Sequence, residues 1–287
     1  MKKSQLLAGI DVGGSKILGV LYDSKQQKVY AAKKQPINKT SADGLIKQLL
    51  AEINRLQLAS QKLTNQKITK IGLGIPGLIK NGQIINCPNL QVLNGCFLAK
   101  KLGAQSGLAK VILDNDLNCF LRTYLKKHPK YHNGALIVIA LGTGIGGSIA
   151  LNGQNIISQP GISSEIGHSL VDLQTGHDLE YYYHQLIGQP ASQVFIAAET
   201  GQKKAQNQIN DFTKIFTSTT ANLNNLFNPR AFILTGGVAR YYKKYLPLLK
   251  QLTKQASFTK NQPVWHIGHD QKAAAIGASL LIETFDN

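Results

Sequence analysis

The sequence predicts an α/β fold of two lobes with a ligand cleft between them, and an internal repeat is the main reason. Residues 8–20 read AGIDVGGSKILGV, and residues 139–151, about half a chain later, read IALGTGIGGSIAL. Each segment has an apolar run, a glycine-rich turn and a second apolar run, which is the pattern of a β-hairpin. Two such segments predict a duplicated α/β domain. One glycine turn from each copy can then hold a nucleotide.

The first glycine turn carries a carboxylate that a simple hairpin does not require. Asp11 ends the first apolar run, close to Gly13 and Gly14. Backbone N–H groups that glycine leaves accessible bind phosphate, and a neighbouring carboxylate suits a hydrated divalent cation. This stretch alone leaves open the alternative of an ordinary Asp-Gly hairpin without a ligand. In the second copy Gly142, Gly144, Gly146 and Gly147 are all expected in the turn, with a strand resuming at Ser148.

The remaining segments alternate between helical and extended patterns. Apolar residues at helical spacing predict amphipathic helices over 41–58 and around 212–227. Short apolar runs that end in Gly-Pro-Gly, Asn-Asp or Gly-Gly predict strands whose ends are places where α/β sheets hold ligands. These predicted strands lie within 68–77, 110–116 and 231–239. No low-complexity linker separates the two halves, which predicts that the halves are packed rather than tethered.

The composition favours a cytoplasmic protein with a sizeable core. The chain has 287 residues, of which 43% are apolar. It contains no run of 18 apolar residues, and Asp11 comes too early for the apolar core of a signal peptide. The cysteines Cys87, Cys96 and Cys119 show no CxxC spacing, which predicts buried reduced thiols rather than a disulfide framework or a metal site.

The charge balance is strongly basic, with 32 Lys and Arg against 15 Asp and Glu and a formal net charge of +17. Such a surplus is compatible with nucleic-acid binding. The lysines, however, are scattered in pairs and are not interleaved with aromatic residues. A solvated basic surface that also attracts anionic substrates is the simpler interpretation.

Seven motifs occur in an order that resembles the ROK family of sugar kinases and related repressors, over essentially the whole chain. DVGGSK at 11–16 and GTGIGG at 142–147 resemble the family's two phosphate loops, and LTGGVA at 234–239 resembles its adenosine loop. The motifs that resemble its sugar-side loops, catalytic segment and sugar-binding signature are GIPG at 74–77, CPNL at 87–90, DNDLN at 114–118 and SEIGH at 164–168.

The resemblance implies a two-lobed actin-like ATPase fold of the ribonuclease H-like type, with the nucleotide and sugar in the cleft between the lobes. The N-terminal lobe is expected over 1–116 plus 271–287, where it takes back a C-terminal helix near 272–285. The C-terminal lobe is expected over 117–270. A homodimer is expected from family habit.

The resemblance also implies a reaction, in which ATP with Mg²⁺ phosphorylates a hexose or N-acyl-hexosamine hydroxyl, usually at C6. Phosphoryl transfer needs charge neutralisation, positioning and a group that takes the hydroxyl proton. Asp116 is the implied general base, and Asp11 the implied Mg²⁺ ligand through water. The implied sugar-binding residues are Gly77, Asn89, Asn115, Glu165, His168 and Glu180. The implied ATP- and phosphate-binding residues are Asp11, Gly13, Gly14, Ser15, Lys16, Gly142, Thr143, Gly144, Gly236 and Gly237.

Two departures from the family pattern concern the sugar signature. The family commonly carries a cysteine cluster for structural zinc after its Gly-His, whereas 167–184 here reads GHSLVDLQTGHDLEYYYH, without cysteine. Loss of the zinc is expected, with packing by Tyr181–Tyr183 in its place. A replacement site from His168, His177, Asp178 and His184 is the open alternative. Ser164, where the family usually has glycine, is expected to re-aim Glu165 slightly.

Two rival functions are weighed against the kinase. A DNA-binding repressor of this family carries a helix-turn-helix ahead of the first phosphate loop, and the few residues before Asp11 leave no room for one. A sugar-binding protein without catalysis would not need Asp11, Asp116 and both glycine loops. Glucose and N-acetylmannosamine are the leading substrates, and the choice depends on the loops around Gly77, Asn89 and Ile162.

Overall fold

The computed structural model describes residues 6–157, 164–259 and 262–284, and the chain forms two compact units. The first unit contains the described residues up to Pro129, together with Ile157 and the described residues from Asp270 onward. The second contains Lys130–Ile156 and the described residues from Ser164 to His269. The first division therefore falls later than the expected 116/117 boundary. Ile162, which we associated with sugar choice, lies outside the described residues.

The elements follow one another in the order that the sequence pattern indicates. The strands are β1 (Leu6–Val12), β2 (Lys16–Asp23), β3 (Lys28–Pro36), β4 (Lys70–Ile75), β5 (Leu78–Lys80), β6 (Gln83–Asn86), β7 (Lys110–Asn115), β8 (Ala135–Leu141), β9 (Ile145–Leu151), β10 (Gln154–Asn155), β11 (Leu170–Asp172), β12 (His177–Asp178), β13 (Ala231–Thr235) and β14 (Val264–Ile267). The helices are α1 (Ala42–Thr64), α2 (Leu98–Ser106), α3 (Asp116–Lys127), α4 (Leu179–Leu186), α5 (Ser192–Glu199), α6 (Lys203–Phe227), α7 (Ala239–Tyr242), α8 (Leu246–Ala256) and α9 (Ala273–Thr284).

The sheet of the first unit has the strand order β3-β2-β1-β4-β7. β3, β2 and β1 are antiparallel, whereas β1, β4 and β7 are parallel. The parallel register places Asp11 of β1 beside Gly74 of β4, and Gly74 beside Asp114 of β7. The carboxyl ends of these three strands therefore present their side chains at one edge of the sheet, where α/β folds bind ligands.

Helix α9 packs on the first sheet at positions where a side chain is missing. A Cβ atom on Gly9 would lie 2.1 Å from the Ala275 carbonyl oxygen, and one on Gly72 would lie 1.8 Å from that of Ala278. A Cβ on Gly277 would lie 1.6 Å from the carbonyl oxygen of Cys119 in α3. Because glycine has no side chain at these places, the backbone of α9 contacts the backbones of β1, β4 and α3 directly. This contact packs α3 and α9 together on the sheet.

The same packing explains why α3 belongs to the first unit. The Thr123 hydroxyl of α3 donates to the Ala273 carbonyl at 2.6 Å, and Lys127 forms an ion pair with Asp270 at 2.6 Å. Ala273 is the first residue of α9 and Asp270 lies three residues before it, so a boundary directly after Asp116 would cut a helix away from its packing surface. The unit ends instead at Pro129, after the helix.

Helix α1 covers the other face of the first sheet and is longer than the sequence pattern predicts. It begins at the N-cap Ser41, whose hydroxyl accepts the Gly44 N–H at 3.0 Å, and its apolar side buries Leu45, Leu49 and Ile53. It ends at Asn65, which takes a left-handed conformation with φ 56°. An asparagine in this conformation is a common helix C-terminus, which places the end at 64 rather than 58.

The sheet of the second unit repeats the arrangement of the first. Its strand order is β10-β9-β8-β13-β14, with an antiparallel hairpin followed by parallel strands. The predicted duplication of an α/β domain is therefore confirmed at the level of topology. Gly146 and Gly147 lie within β9 rather than in the turn, which corrects our expectation for them. A Cβ on Gly147 would lie 2.4 Å from Ile166, so this glycine serves close packing.

The core of the second unit is rich in aromatic residues supplied by α4 to α7. Phe212 and Phe216 of α6 lie against Tyr242 of α7, with ring centroids 6.4 and 6.2 Å apart, and Thr213 shares a 2.7 Å hydrogen bond with the Tyr242 hydroxyl. Helix α6 includes the predicted 212–227 segment and begins earlier, at Lys203. The buried amphipathic face of this helix holds α4 in place behind the sheet.

All three cysteines are buried and free, as the sequence indicates. Within the described ranges, no helix is both long enough and apolar enough to cross a bilayer.

Candidate active site

The first glycine turn places Asp11 beside a bare stretch of backbone. Asp11 is the penultimate residue of β1, and the turn closes with a hydrogen bond from the Gly13 N–H to the Lys16 carbonyl at 2.9 Å. A Cβ on Gly14 would lie 3.0 Å from the Asn89 side chain, so Asn89 lies directly against the turn. The structure thus brings one predicted sugar-binding residue next to the predicted phosphate loop.

The turn also has a cationic side. Contact with the Lys34 ammonium group lowers the pKa of Lys16, burial lowers it further, and the nearby Asp11 carboxylate opposes the change. Lys34 lies on β3, diagonally opposite Lys16 on the same face of the sheet, and the sequence analysis did not identify it. Two neighbouring ammonium groups beside accessible glycine backbone favour an anionic ligand.

Asp116 is the first residue of α3, at the end of β7. The N-cap of this helix is Asn115, whose Oδ1 accepts the Leu117 N–H at 2.9 Å. Asp116 Oδ1 also accepts from Leu117, at 2.9 Å, so the carboxylate faces the positive end of the helix dipole. The cap position is therefore filled by Asn115, and helix capping alone does not require an acid at 116.

Asp11 and Asp116 are buried carboxyl groups, and the charge of Asp116 acts on the pKa of Asp11. Burial raises the pKa of Asp11 to about 7, and the negative charge of Asp116 adds to the rise, while Lys16 opposes it. Burial raises the pKa of Asp116 to about 6 against the opposing hydrogen bond from Leu117, and Asp114 adds to the rise. A carboxylate with the pKa of Asp116 is mostly ionised near neutral pH and still accepts a proton readily, whereas Asp11, with a pKa of about 7, is about half ionised there.

Asp114 is a supporting residue whose role the sequence did not reveal. Its Oδ2 accepts from Arg122 Nη2 at 3.1 Å, and its Oδ1 accepts from Asn118 Nδ2 at 2.9 Å. Both partners lie on α3, four and eight residues later, so they tie the start of the helix to the end of β7. The i, i+4, i+8 spacing of these polar residues was the available signal.

Gly77 and Asn115 are joined by a hydrogen bond. Asn115 Nδ2 donates to the Gly77 carbonyl at 3.2 Å, and Gly77 has a φ of +107° that favours glycine. A Cβ on Gly77 would also lie 2.2 Å from the Asn86 carbonyl oxygen. Asn115 thus already holds two backbone groups, so its place in the structure is that of a positioning side chain, and its sugar contact stays a prediction.

The second unit carries the other predicted residues around its own glycine turn, residues 142–144. The Gly142 N–H donates to the Gly144 carbonyl at 3.0 Å, and Glu180 of α4 accepts the Ile145 N–H at 2.9 Å. The Glu180 carboxylate covers Gly144, because a Cβ there would lie 2.7 Å from its Oε1. Glu180 therefore touches the predicted phosphate loop, a contact that the sequence did not indicate.

Glu165 and His168 flank Glu180. Burial raises the pKa of Glu165, the His168 side chain opposes this, and the charge of Glu180 adds to it. His168 Nδ1 lies 2.8 Å from Asp178 Oδ2, and this hydrogen bond raises the pKa of His168. With Nδ1 held by a carboxylate, Nε2 is the ring nitrogen left to face a ligand. The three predicted sugar-binding residues of this unit thus lie together.

The third glycine turn follows β13 and lies against the second. Gly236 has a φ of +94°, and a Cβ there would lie 2.3 Å from the Leu141 carbonyl oxygen. The same carbonyl accepts the Val238 N–H at 3.2 Å. Gly236 and the following Gly237 therefore lie beside the turn that begins at Gly142, which is the arrangement that one nucleotide contacting both turns requires.

The residues of the alternative metal site take up other contacts. The His177 ring stacks on Tyr181 with centroids 3.6 Å apart, and the Tyr182 hydroxyl donates to Asp172 at 2.5 Å. His184 lies 3.5 Å from Glu180. Across the part of the chain that the structure describes, no three His, Cys, Asp or Glu side chains are placed to hold one metal ion. The rings of His177, Tyr181 and Tyr182 contact one another, and both the loss of zinc and its replacement by tyrosine packing stay predictions.

Comparison with known proteins identifies the family and the fold. The ROK family model matches residues 7–180 and 173–284. An N-acetyl-D-glucosamine kinase of Haemophilus influenzae is 24% identical over 307 residues, with coverage of 96% of this chain and 99% of the relative. The crystal structure of a ROK hexokinase from Thermus thermophilus superposes with a TM-score of 0.79 at 22% identity, covering 99% of this chain and 100% of that one.

A ROK family glucokinase from Streptomyces griseus, solved with glucose and AMPPNP, superposes with a TM-score of 0.74 at 21% identity and covers 96% of this chain and 99% of that one. These likenesses confirm the predicted α/β fold of the actin-like ATPase type. Because the family model spans nearly the whole described chain, this protein belongs to the ROK family.

Proposed function

We propose that the protein is an ATP-dependent kinase that phosphorylates a hydroxyl of a hexose or an N-acyl-hexosamine, with Asp116 as the general base. The observation that carries the proposal is the carboxylate pair at the edge of the first sheet, where burial raises the pKa of Asp116 to about 6. Family membership and the kinase names of its relatives support the same reaction.

The proposed mechanism gives each unit its own task. Asp116 accepts the proton of the sugar hydroxyl as the hydroxyl oxygen attacks the γ-phosphorus of ATP, and ADP leaves. Proton transfer to a positioned carboxylate typically accelerates such a step by about 100- to 10,000-fold. Glu165, His168 and Glu180 together with Asn89 are proposed to bind the other hydroxyls, since each offers donor or acceptor atoms that a sugar can satisfy.

Asp11 suits the Mg²⁺ that accompanies ATP. The donor set is one carboxylate plus the phosphate oxygens of the substrate and water, which is how Mg²⁺ is usually held. Burial and the charge of Asp116 raise the pKa of the Asp11 carboxyl to about 7. A bound cation would favour the ionised form of this carboxyl, so Asp11 fits a position beside Mg²⁺. Mg²⁺ would supply charge neutralisation on the phosphates, and Asp11 would orient it through water.

The sugar specificity is proposed only to the level of a class. Glucose and N-acetylmannosamine are the candidates from the resemblance, and the names of the curated relatives add N-acetylglucosamine. The test is a coupled ATP-consumption assay with these three sugars, mannose and fructose, each with and without Mg²⁺. We expect kcat/KM for one of them to exceed the others by at least about tenfold. Absence of ATP-dependent phosphorylation with every sugar would refute the proposal.

A homodimer stays part of the proposal, and family habit is its only support. Light scattering at working concentration measures it directly. A monomer would contradict it without affecting the proposed chemistry.

A further inference from the structure

Helix α4 and the turn after it contact the second glycine turn at successive residues. The Tyr183 hydroxyl donates to the Gly142 carbonyl at 2.8 Å. Gln189 Nε2 donates to the Thr143 carbonyl. The Ile145 N–H donates to Glu180, as described above. One short stretch of chain thus fixes the backbone of this turn from one side.

The two carbonyl contacts determine where the neighbouring N–H groups point. In a planar trans peptide the carbonyl of one residue and the N–H of the next lie on opposite sides of the bond. Because Tyr183 and Gln189 hold the Gly142 and Thr143 carbonyls toward α4, the N–H groups of Thr143 and Gly144 point away from it. N–H groups presented together by successive residues form an anion-binding concavity.

We propose that Tyr183 and Gln189 are positioning residues that aim the Thr143 and Gly144 N–H groups at the phosphates of the nucleotide. The inference rests on the proposed function, in which this turn receives ATP. Neither side chain needs to touch the nucleotide, since each acts through the peptide it holds.

Tyr183 suits this role because packing holds its ring in place. The residue is fully buried, and its ring lies edge-on to Phe212 with centroids 5.2 Å apart. A hydroxyl on such a ring is fixed in space, so its bond to Gly142 is preorganised before any ligand arrives. Gln189 is exposed and completes the set from the turn that follows the helix.

The preceding residue, Tyr182, offers a matched control. Its hydroxyl also donates to a protein acceptor, Asp172, but that acceptor lies in the β11–β12 hairpin and not in the glycine turn. Tyr182→Phe and Tyr183→Phe each remove one oxygen and one hydrogen bond from the same helix. Only the second change releases the glycine turn.

The experiment measures KM for ATP, KM for the sugar, and the Kd of the ATP analogue AMPPNP by calorimetry. For Tyr183→Phe we expect KM for ATP and Kd for AMPPNP to rise roughly tenfold, the effect of one lost hydrogen bond of ordinary net strength. KM for the sugar should stay within about twofold, as should every parameter of Tyr182→Phe. Gln189→Met should also raise the Kd of AMPPNP. Because Gln189 is exposed, this variant tests the inference even if Tyr183→Phe folds poorly.

Equal effects of Tyr182→Phe and Tyr183→Phe, or a rise confined to the KM of the sugar, would overturn the inference. So would a parent protein that does not bind AMPPNP. A parent that binds AMPPNP but phosphorylates no sugar refutes the proposed function alone, and the calorimetric comparison of the variants then still decides the role of Tyr183.

Discussion

Replacing Asp116 with asparagine should produce a protein that is nearly inactive and more stable than the parent at neutral pH. Asparagine keeps the shape of the side chain and an oxygen that can accept the Leu117 N–H, but it cannot take a proton. If Asp116 is the base, kcat should fall by at least about 100-fold with little change in sugar affinity.

The gain in stability follows from the raised pKa. An aspartate side chain has an ordinary pKa of 3.8, whereas burial raises the pKa of Asp116 in the folded protein to about 6, so folding favours its neutral form. The stability that this group contributes is complete below the unfolded value and is lost as pH rises through the folded one. At about 1.4 kcal/mol per pKa unit, the ionised parent is destabilised by about 3 kcal/mol at about pH 8, a penalty that the asparagine variant does not carry.

Urea unfolding at a series of pH values measures the difference, and kinetics on the same samples measure the loss of activity. We expect the variant to be more stable by up to about 3 kcal/mol at about pH 8, with the difference shrinking below about pH 6 and nearly gone below about pH 4. Asp211→Asn, at an exposed site on α6, is the control and should change neither quantity.

The parent should also show the matching pH profile. Its kcat/KM is expected to fall as pH drops through about 7 to 6, because Asp11 and then Asp116 take up protons in the free enzyme. An Asp116→Asn enzyme that retains parental kcat would show that this carboxylate is not the base. A variant that is less stable than the parent at about pH 8 would show that burial of the ionised carboxylate does not destabilise the fold.

Three further predictions concern binding, packing and metal content. Glu165→Gln should raise KM for the sugar by about tenfold with a smaller effect on kcat, and a purely kcat effect in steady-state kinetics would contradict its role in sugar binding. Gly277→Ala should destabilise the protein by about 3 kcal/mol or more, because its Cβ would lie 1.6 Å from a carbonyl oxygen of α3. In the same thermal melts Gly103→Ala, with its nearest neighbour 3.9 Å away, should be neutral or stabilising. Elemental analysis should find no stoichiometric zinc, and chelators should leave unfolding unchanged, whereas about one zinc per chain would show that the histidines of residues 168–184 bind it.

The sequence was sufficient for the fold because its signals are local and repeated. The paired hairpins around Gly13 and Gly142 and the helix predicted over 41–58 follow from apolar spacing and glycine, which act within a few residues, whereas the end of that helix at Thr64 follows from the left-handed Asn65. The glycine-rich sequence predicts a turn at Gly147, but the missing side chain there serves packing against Ile166. Glycine alone does not distinguish these two uses.

The supporting contacts of the candidate site could not be predicted in the same way. The bond from Tyr183 to Gly142 joins residues 41 positions apart, and neither periodicity nor composition records such a pair. The contact of Lys34 with Lys16 requires the register of β2 against β3. The individual site residues came from motif order, whereas the bonds that aim them depend on tertiary packing.

The two matching hairpins differ in charge at one position. In the first copy Asp11 stands one residue before the last residue of the opening strand, and Ala140 stands at the matching place in the second. Each copy has a glycine turn, closed from Gly13 to Lys16 in the first and from Gly142 to Gly144 in the second, but only the first has a charge at this place. An acid at position 140 would add negative charge to a turn that Glu180 already contacts and that is proposed to receive phosphate. A neutral residue there therefore suits the proposed anionic ligand.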